Sequence, residues 1–534
     1  MRIAKAIALG AALLLSGTAC HDFLTGPSLG INDPNGHASL KDPGPLYVGL
    51  EAGQAENNTA QLARFVAEYM QQISGVARQQ QGFDQYIVGP GDDDGSFASV
   101  WAALPPAGGG GAADARKIQA IALAQSDSIY VGIAKVWEAM IIGDAASIWG
   151  AVPYSQAFDI NKYPQPKYDD QMSVLNAVET TLDQAIAFLN CNPAGKTNLG
   201  PTGVLPGKVP RTNEVIYAGR SSAALVAVYK AVAHTLKARY YMHMAEVDPS
   251  NYAKALAEAQ LGIATSDDDW TWFADVATGA NQWVSFQGAR GGDISGGAAL
   301  VNLMRARVNA GLDIDNGRFG FYYVEPNSGL PCTLGAGNDN GCTGARPGGN
   351  SVLPGGGDDI DFNIFNNGSN FRQPQVTFTE TKLIIAEAAL QTGNVTLADS
   401  ALNAVRNNET YGADPINEAS DSIYASTCSP TCKFAAQPHV APTLQNIIEE
   451  KYIDLFATPE VWNDYKRTCL PYLAAAPSTP TSSATRANVP GRLPYGLTAA
   501  NADPNTPNVG ATSQNANDPH ACPTLTYTST PAAW

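Results

Sequence analysis

Leu62, Phe65, Val66, Tyr69 and Ile73 fall at i, i+3, i+4, i+7 and i+11, a single apolar stripe along a helix. The same period returns further on. Ile129, Ile133, Val136, Trp137, Met140 and Ile141 share one helical face, and Leu175, Val178, Leu182, Ile186 and Leu189 share another. Asp169 and Asp170 precede the latter, and either side chain is suited to cap it. Helices are also predicted over 225–245, 252–262, 382–391 and 396–406. Asp248-Pro249-Ser250-Asn251 turns one helix into the next, and Gly393 in Thr392-Gly393-Asn394 offers the left-handed cap that ends another. Ala253, Ala255, Ala257 and Ala259 permit close helix contact. A chain that repeatedly hides one stripe against the next helix folds as stacked antiparallel hairpins. The expected class is therefore all-α, a tetratricopeptide-like helix-pair scaffold carrying long irregular loops.

The scaffold is expected to occupy about 45–265 and 376–470. Residues 266–375 are dense in Gly, Asp, Asn and aromatics and read as irregular, as do 82–106; residues 477–534 read as an extended tail. Long loops in a compact protein tend to carry function. A neutral sugar is held by an aromatic ring against its C–H face and polar side chains around its rim. Trp101, Tyr86, Trp270, Trp272, Trp283, Tyr322 and Tyr323 stand among such polar residues and are the candidate ligand contacts. Trp137, Trp149 and Trp462 lie in helical settings and are expected in the core. The acidic runs Asp92–Asp94, Asp267–Asp269 and Asp358-Asp359-x-Asp361 supply loop oxygens of the kind calcium takes, without EF-hand spacing. Solvated turn-forming acids are the preferred reading and structural calcium the alternative, so no cofactor is expected.

The first residues read as an export signal. Arg2 and Lys5 precede an apolar run from Ala6 to Leu15, and Ser16-Gly17-Thr18-Ala19 are small. Cys20 follows directly, the position at which a bacterial lipoprotein is cleaved and acylated, which makes 1–19 a signal peptide and 20–44 a tether. Several acyl chains at ~0.8 kcal/mol per buried methylene hold a protein to a membrane stably. Formal charge is −17, and removing Arg2 and Lys5 makes it more negative still, so no basic stripe is available for nucleic acid. In an oxidising compartment disulfides are the default for the remaining cysteines. Cys332/Cys342 and Cys428/Cys432 are close enough to staple their own loops, with zinc as the rival for the second pair. Cys469, Cys522 and Cys191 remain, and a Cys469–Cys522 bond would tether the tail.

Four ordered segments bring a family into view. Trp149-Gly150-Ala151-Val152-Pro153-Tyr154-Ser155 is followed by Pro166-Lys167-Tyr168-Asp169-Asp170-Gln171, then by Leu236-Lys237-Ala238-Arg239-Tyr240-Tyr241-Met242. Ala386-Glu387-Ala388-Ala389 leads to Gly393-Asn394 and Leu402-Asn403-Ala404-Val405-Arg406. Last come Ile447-Ile448-Glu449-Glu450-Lys451-Tyr452 and Glu460-Val461-Trp462-Asn463-Asp464-Tyr465-Lys466-Arg467-Thr468. With Cys20, these resemble the SusD/RagB family of nutrient-binding outer-membrane lipoproteins. Asp315-Asn316-Gly317-Arg318 and Val489-Pro490-Gly491-Arg492-Leu493-Pro494-Tyr495 also look like family landmarks, with Gly replacing more usual residues. The resemblance implies one domain over 45–534 that captures a glycan, or in some members a peptide. It also implies delivery to a SusC-type TonB-dependent transporter barrel in the outer membrane. The motifs identify the scaffold, not the ligand.

An enzyme is the rival class, as a lipid-anchored protein acting on glycans. Gly26-Pro27-Ser28-Leu29-Gly30 matches a nucleophile elbow but lies in the tether. His234 and His243 are nine apart and form no HExxH motif. Glu449 and Glu450, adjacent on a helix, diverge, unlike a glycosidase pair facing across a sugar. The expectation is a binding protein with no catalytic residues.

Overall fold

The computed structural model of the chain describes residues 42–102, 109–190, 214–272, 282–313, 322–324, 344–345, 361–362, 373–407, 437–473 and 489–507. The chain falls into two units, Met1–Pro43, nearly all of it outside those residues, and Gly44–Trp534, which carries the fold. Its helices begin with α1 Gly44–Thr59, α2 Gln61–Tyr69, α3 Arg78–Asp84, α4 Asp94–Trp101, α5 Ala112–Ala124 and α6 Ser128–Trp149. They continue through α7 Gln171–Leu189, α8 Ser222–Met244, α9 Asn251–Ala259, α10 Gln282–Arg290 and α11 Ala298–Asn309. The last are α12 Phe378–Gln391, α13 Val395–Val405, α14 Leu444–Asp454, α15 Pro459–Thr468 and α16 Leu497–Ala502. The protein is all-α in class.

Among the described residues, strands form only short antiparallel pairs. β1 Ile73–Gly75 pairs with β5 Ile294–Gly296, and β2 Val152–Pro153 with β3 Tyr168–Asp169. β4 Trp270–Trp272 pairs with β8 Gln373–Val376, and β6 Tyr323–Val324 with β7 Asp361–Phe362.

The hairpins stack as the periodicity requires: α6 packs on α5 and α7, α7 on α8, α8 on α9, α9 on α12, and α12 on α13. Helix starts are set by side-chain oxygens taking the first free N–H groups, each cap worth about 1 kcal/mol. Asp170 accepts from Ser173 N at 2.9 Å, Thr377 from Glu380 N at 3.1 Å, and Asn394 from Leu397 N at 3.2 Å. Gly393 takes φ +83°, the left-handed turn between α12 and α13. Helix α6 is the axis of the stack, since every one of its residues except Lys135 is buried. At Gly143 a Cβ would sit 2.3 Å from the Tyr240 ring, so α6 and α8 approach as closely as they do only because no side chain intervenes.

Two stretches depart from expectation. Residues 94–101, read as loop, form α4, and the region 266–375 contains α10, α11, β4 and β5. These helices are short, and α10 buries only Trp283 and Gln287, a single i, i+4 pair that yields no sustained period.

The family-like motifs act as fasteners. Asp169 on β3 accepts from Ser155 N at 2.7 Å and Tyr154 N at 3.3 Å, closing the loop after Trp149. Glu387 on α12 takes Lys451 at 2.8 Å and Arg467 at 2.7 Å, joining α14 and α15. Glu450 takes Arg307 at 3.0 Å and also binds Arg406, joining α11, α13 and α14.

One buried acid behaves differently. Burial, then the neighbouring Glu214 carboxylate, pushes Glu51 from 4.5 up to about 10. The folded chain holds this proton more tightly than the unfolded chain does. Its stabilising contribution is therefore complete below about pH 4.5 and is lost as pH rises toward 10. Glu51→Gln, which mimics the protonated acid, is expected to stabilise the fold at pH 8 by about 1–3 kcal/mol and to flatten that pH dependence. Urea denaturation at pH 5 and pH 8 reads both effects; equal losses of stability in wild type and variant over that interval would refute the assignment.

Candidate ligand-binding site

The aromatic residues singled out in the loops do not form an open platform. Trp270 and Trp272 on β4 are 0% and 2% exposed and join Trp137, with the Trp270 and Trp137 ring centres 4.5 Å apart at 68°. The Trp272 indole donates to Gln375 Oε1 at 2.8 Å, and that of Trp283 donates to Gln373 Oε1 at 2.9 Å. The Tyr86 hydroxyl accepts from Gln71 Nε2 at 2.9 Å, and the Tyr322 hydroxyl donates to the Ile453 carbonyl at 2.8 Å. Tyr86, Trp283, Tyr322 and Tyr323 are all buried. These six rings pack with the helical stack, where large rings are worth more as core than as an exposed shelf. Trp101 alone is half-buried, its indole donating to the Pro153 carbonyl at 2.9 Å and its ring 4.7 Å from that of Phe97. Trp137, Trp149 and Trp462 are core, as their helical settings suggest.

The acids are occupied by the fold. Asp93 accepts from the Trp149 indole at 2.7 Å, Asp94 from Thr498 N at 2.8 Å, and Asp269 from Phe378 N at 2.6 Å. Asp268 pairs with Arg220. Among the described residues no group of three or more His, Cys, Asp or Glu is placed to hold a metal ion. Asp358 and Asp359 lie outside the described residues, as do Cys20, Cys191, Cys332, Cys342, Cys428, Cys432 and Cys522. Cys469 is disulfide-bonded.

An open groove of about 830 Å³ lies elsewhere, between α5, α6 and α7, with Tyr154 at one end. Glu138 on α6 organises it. Its Oε2 accepts from Gln119 at 2.7 Å, and its Oε1 accepts from Arg116 Nε at 2.9 Å and the Tyr154 hydroxyl at 3.0 Å. The Arg116 guanidinium lies 3.9 Å from the centre of the Phe158 ring and 5.2 Å from that of Tyr154. Burial, and next the Glu138 charge, raise the Tyr154 hydroxyl to about 12, so it stays protonated and donating. Across the groove Lys135 donates to Gln184 Oε1 at 2.9 Å. Burial lowers the Lys135 ammonium from its ordinary value, with Glu138 opposing and Arg116 assisting.

Sequence reasoning passed over this site. Arg116/Gln119 and Lys135/Glu138 are i, i+3 pairs, and Thr180/Gln184 is an i, i+4 pair, on three different helices. Each reads alone as a polar helix face. Only the stacking of hairpins brings the three together.

Stacked helix hairpins flanking an open groove define the class of the protein, an all-α helix-pair scaffold. Among the described residues no helix is long and apolar enough to cross a membrane. Residues 35–496 match the SusD-like family described as starch-binding and associating with the outer membrane, and the chain belongs to that family. No curated protein matches the chain. A SusD/RagB family protein from Bacteroides thetaiotaomicron shares the fold at TM-score 0.64 and 16% identity, over 88% of this chain and 96% of that one. A chitin-binding protein does so at TM-score 0.61 and 20% identity, over 85% and 92%. A SusD homologue from Bacteroides fragilis gives 0.60 and 16%, over 91% and 100%.

Proposed function

We propose that this protein is a non-catalytic surface lipoprotein, anchored in the outer membrane through Cys20, that captures a glycan. It hands the glycan to a SusC-type TonB-dependent transporter. The family match over residues 35–496 carries the reading. Two further observations support it: a structural neighbour is a chitin-binding protein, and the α5–α7 groove offers a mixed aromatic and hydrogen-bonding wall. Capture needs no cofactor. A peptide ligand is the second choice, and a glycan-active enzyme the rival class.

Purified protein is expected to retard on affinity gels containing starch, or to bind chitin oligosaccharides in titration, and to leave their chain length unchanged after prolonged incubation. Shorter products would make it an enzyme. Binding of peptides with no binding of any glycan would transfer the reading to peptide capture.

A further inference from the structure

Lys135 is the one residue of α6 that is not buried, and it opens into the groove. The two carboxylates of the groove wall are both engaged by other cations. Glu138 is the single buried carboxylate between two cations, and both its oxygens are already taken by Arg116, Tyr154 and Gln119. Asp183, the other acid on the wall, is bound at 2.6 Å by Lys237, which it shares with Glu258. Among the described residues Lys135 makes no ion pair. Its one hydrogen bond goes to the neutral amide of Gln184, which leaves two of the three ammonium N–H groups for a ligand. Among the described residues Lys135 is thus the cation of the groove wall left without an ion pair, inside a protein of net charge −17.

We propose that the groove binds a sugar carrying a single carboxylate, a hexuronate unit, with Lys135 taking the carboxylate. This deepens the glycan-capture reading and rests on it. The amides of Gln119 and Gln184 and the hydroxyl of Thr180 stand beside the ammonium to read ring hydroxyls, and the apolar wall takes the C–H face. A polyanion is disfavoured by the overall negative charge. An extended acidic peptide is disfavoured because the groove is walled by helices, whose backbone groups are internally bonded and give no strand edge to pair with.

The test titrates the whole mature protein with xylotriose bearing one glucuronate and with its carboxyl-reduced counterpart. Wild type is expected to bind the acid at least ten-fold more tightly than the reduced sugar. Lys135→Gln should abolish that difference, and Lys135→Arg should restore it to within about three-fold, since a charged donor to a carboxylate is worth on the order of ten-fold or more in affinity. Unchanged melting temperatures confirm that the variants fold. Equal binding of both sugars by wild type, or an unaltered preference in Lys135→Gln, would overturn the assignment. So would tighter, Lys135-dependent binding of the peptide Ala-Thr-Glu-Ala. If maltohexaose or chitohexaose binds while neither test sugar does, glycan capture stands and the uronate assignment falls. If no sugar binds at all, the capture reading itself falls.

Discussion

Arg239→Ala is expected to destabilise the fold by about 3–5 kcal/mol, because it strips a guanidinium from among three buried carboxylates. Arg239 is 2% exposed and grips Glu380 with two parallel bonds of 2.6 and 2.7 Å. Asp144 lies 3.6 Å from it and Glu460 3.8 Å. These partners sit on α6, α12 and α15, so one side chain on α8 fastens four helices. His243 Nε2 lies 2.8 Å from Glu460 and is a further hydrogen-bond partner of that carboxylate. Without Arg239 the acids relieve their repulsion by taking up protons. The deficit should therefore shrink as pH falls from 8 to 5, toward the value near 6 that burial already gives Asp144. Urea denaturation at the two pH values measures it. Arg239→Lys should recover little, since an ammonium cannot reproduce the fork geometry. A loss below about 1 kcal/mol at pH 8, or one independent of pH, would show that the cluster is not held by this residue.

What the chain discloses before folding follows from the range over which each interaction acts. Helix α7 is legible because its signals are local: Asp170 caps it, and Leu175, Val178, Leu182 and Leu189 recur at its period and are all buried. The α12–α13 turn is legible because only a residue free to take φ +83°, as Gly393 does, closes it without strain. The fate of Trp270 and Trp272 is not local. Their strand exists because it pairs with β8, about a hundred residues further on, and a Trp-Thr-Trp run flanked by acids looks alike in a ligand loop and in a core strand. The groove is hidden for the same reason. Arg116, Lys135 and Gln184 become neighbours only after α5, α6 and α7 have stacked, and no spacing in the sequence announces it. Motif residues such as Glu387 and Glu450 are spread along the chain, and their joint role as ion clips appears only in three dimensions.

Trp270 distinguishes a core reading from a ligand reading most sharply. Fully buried, its ring meets Trp137 at 4.5 Å, and Tyr229 and Trp272 at 6.0 Å each. Trp137 in turn donates to the Tyr47 hydroxyl at 3.4 Å, so the ring stands at the centre of an aromatic block spanning α1, α6, α8 and β4. Truncation to alanine leaves a cavity that these rigid neighbours cannot fill, and the expected loss is about 3–5 kcal/mol. Among the described residues the Trp270 indole N–H has no hydrogen-bond partner. Trp270→Phe therefore sacrifices no bond and keeps most of the packing, and should cost only about 1–2 kcal/mol. Both variants, assayed at a temperature where each is folded, should retain glycan affinity. A Trp270→Ala protein with wild-type stability and no glycan binding would return this ring to the ligand surface and remove it from the core.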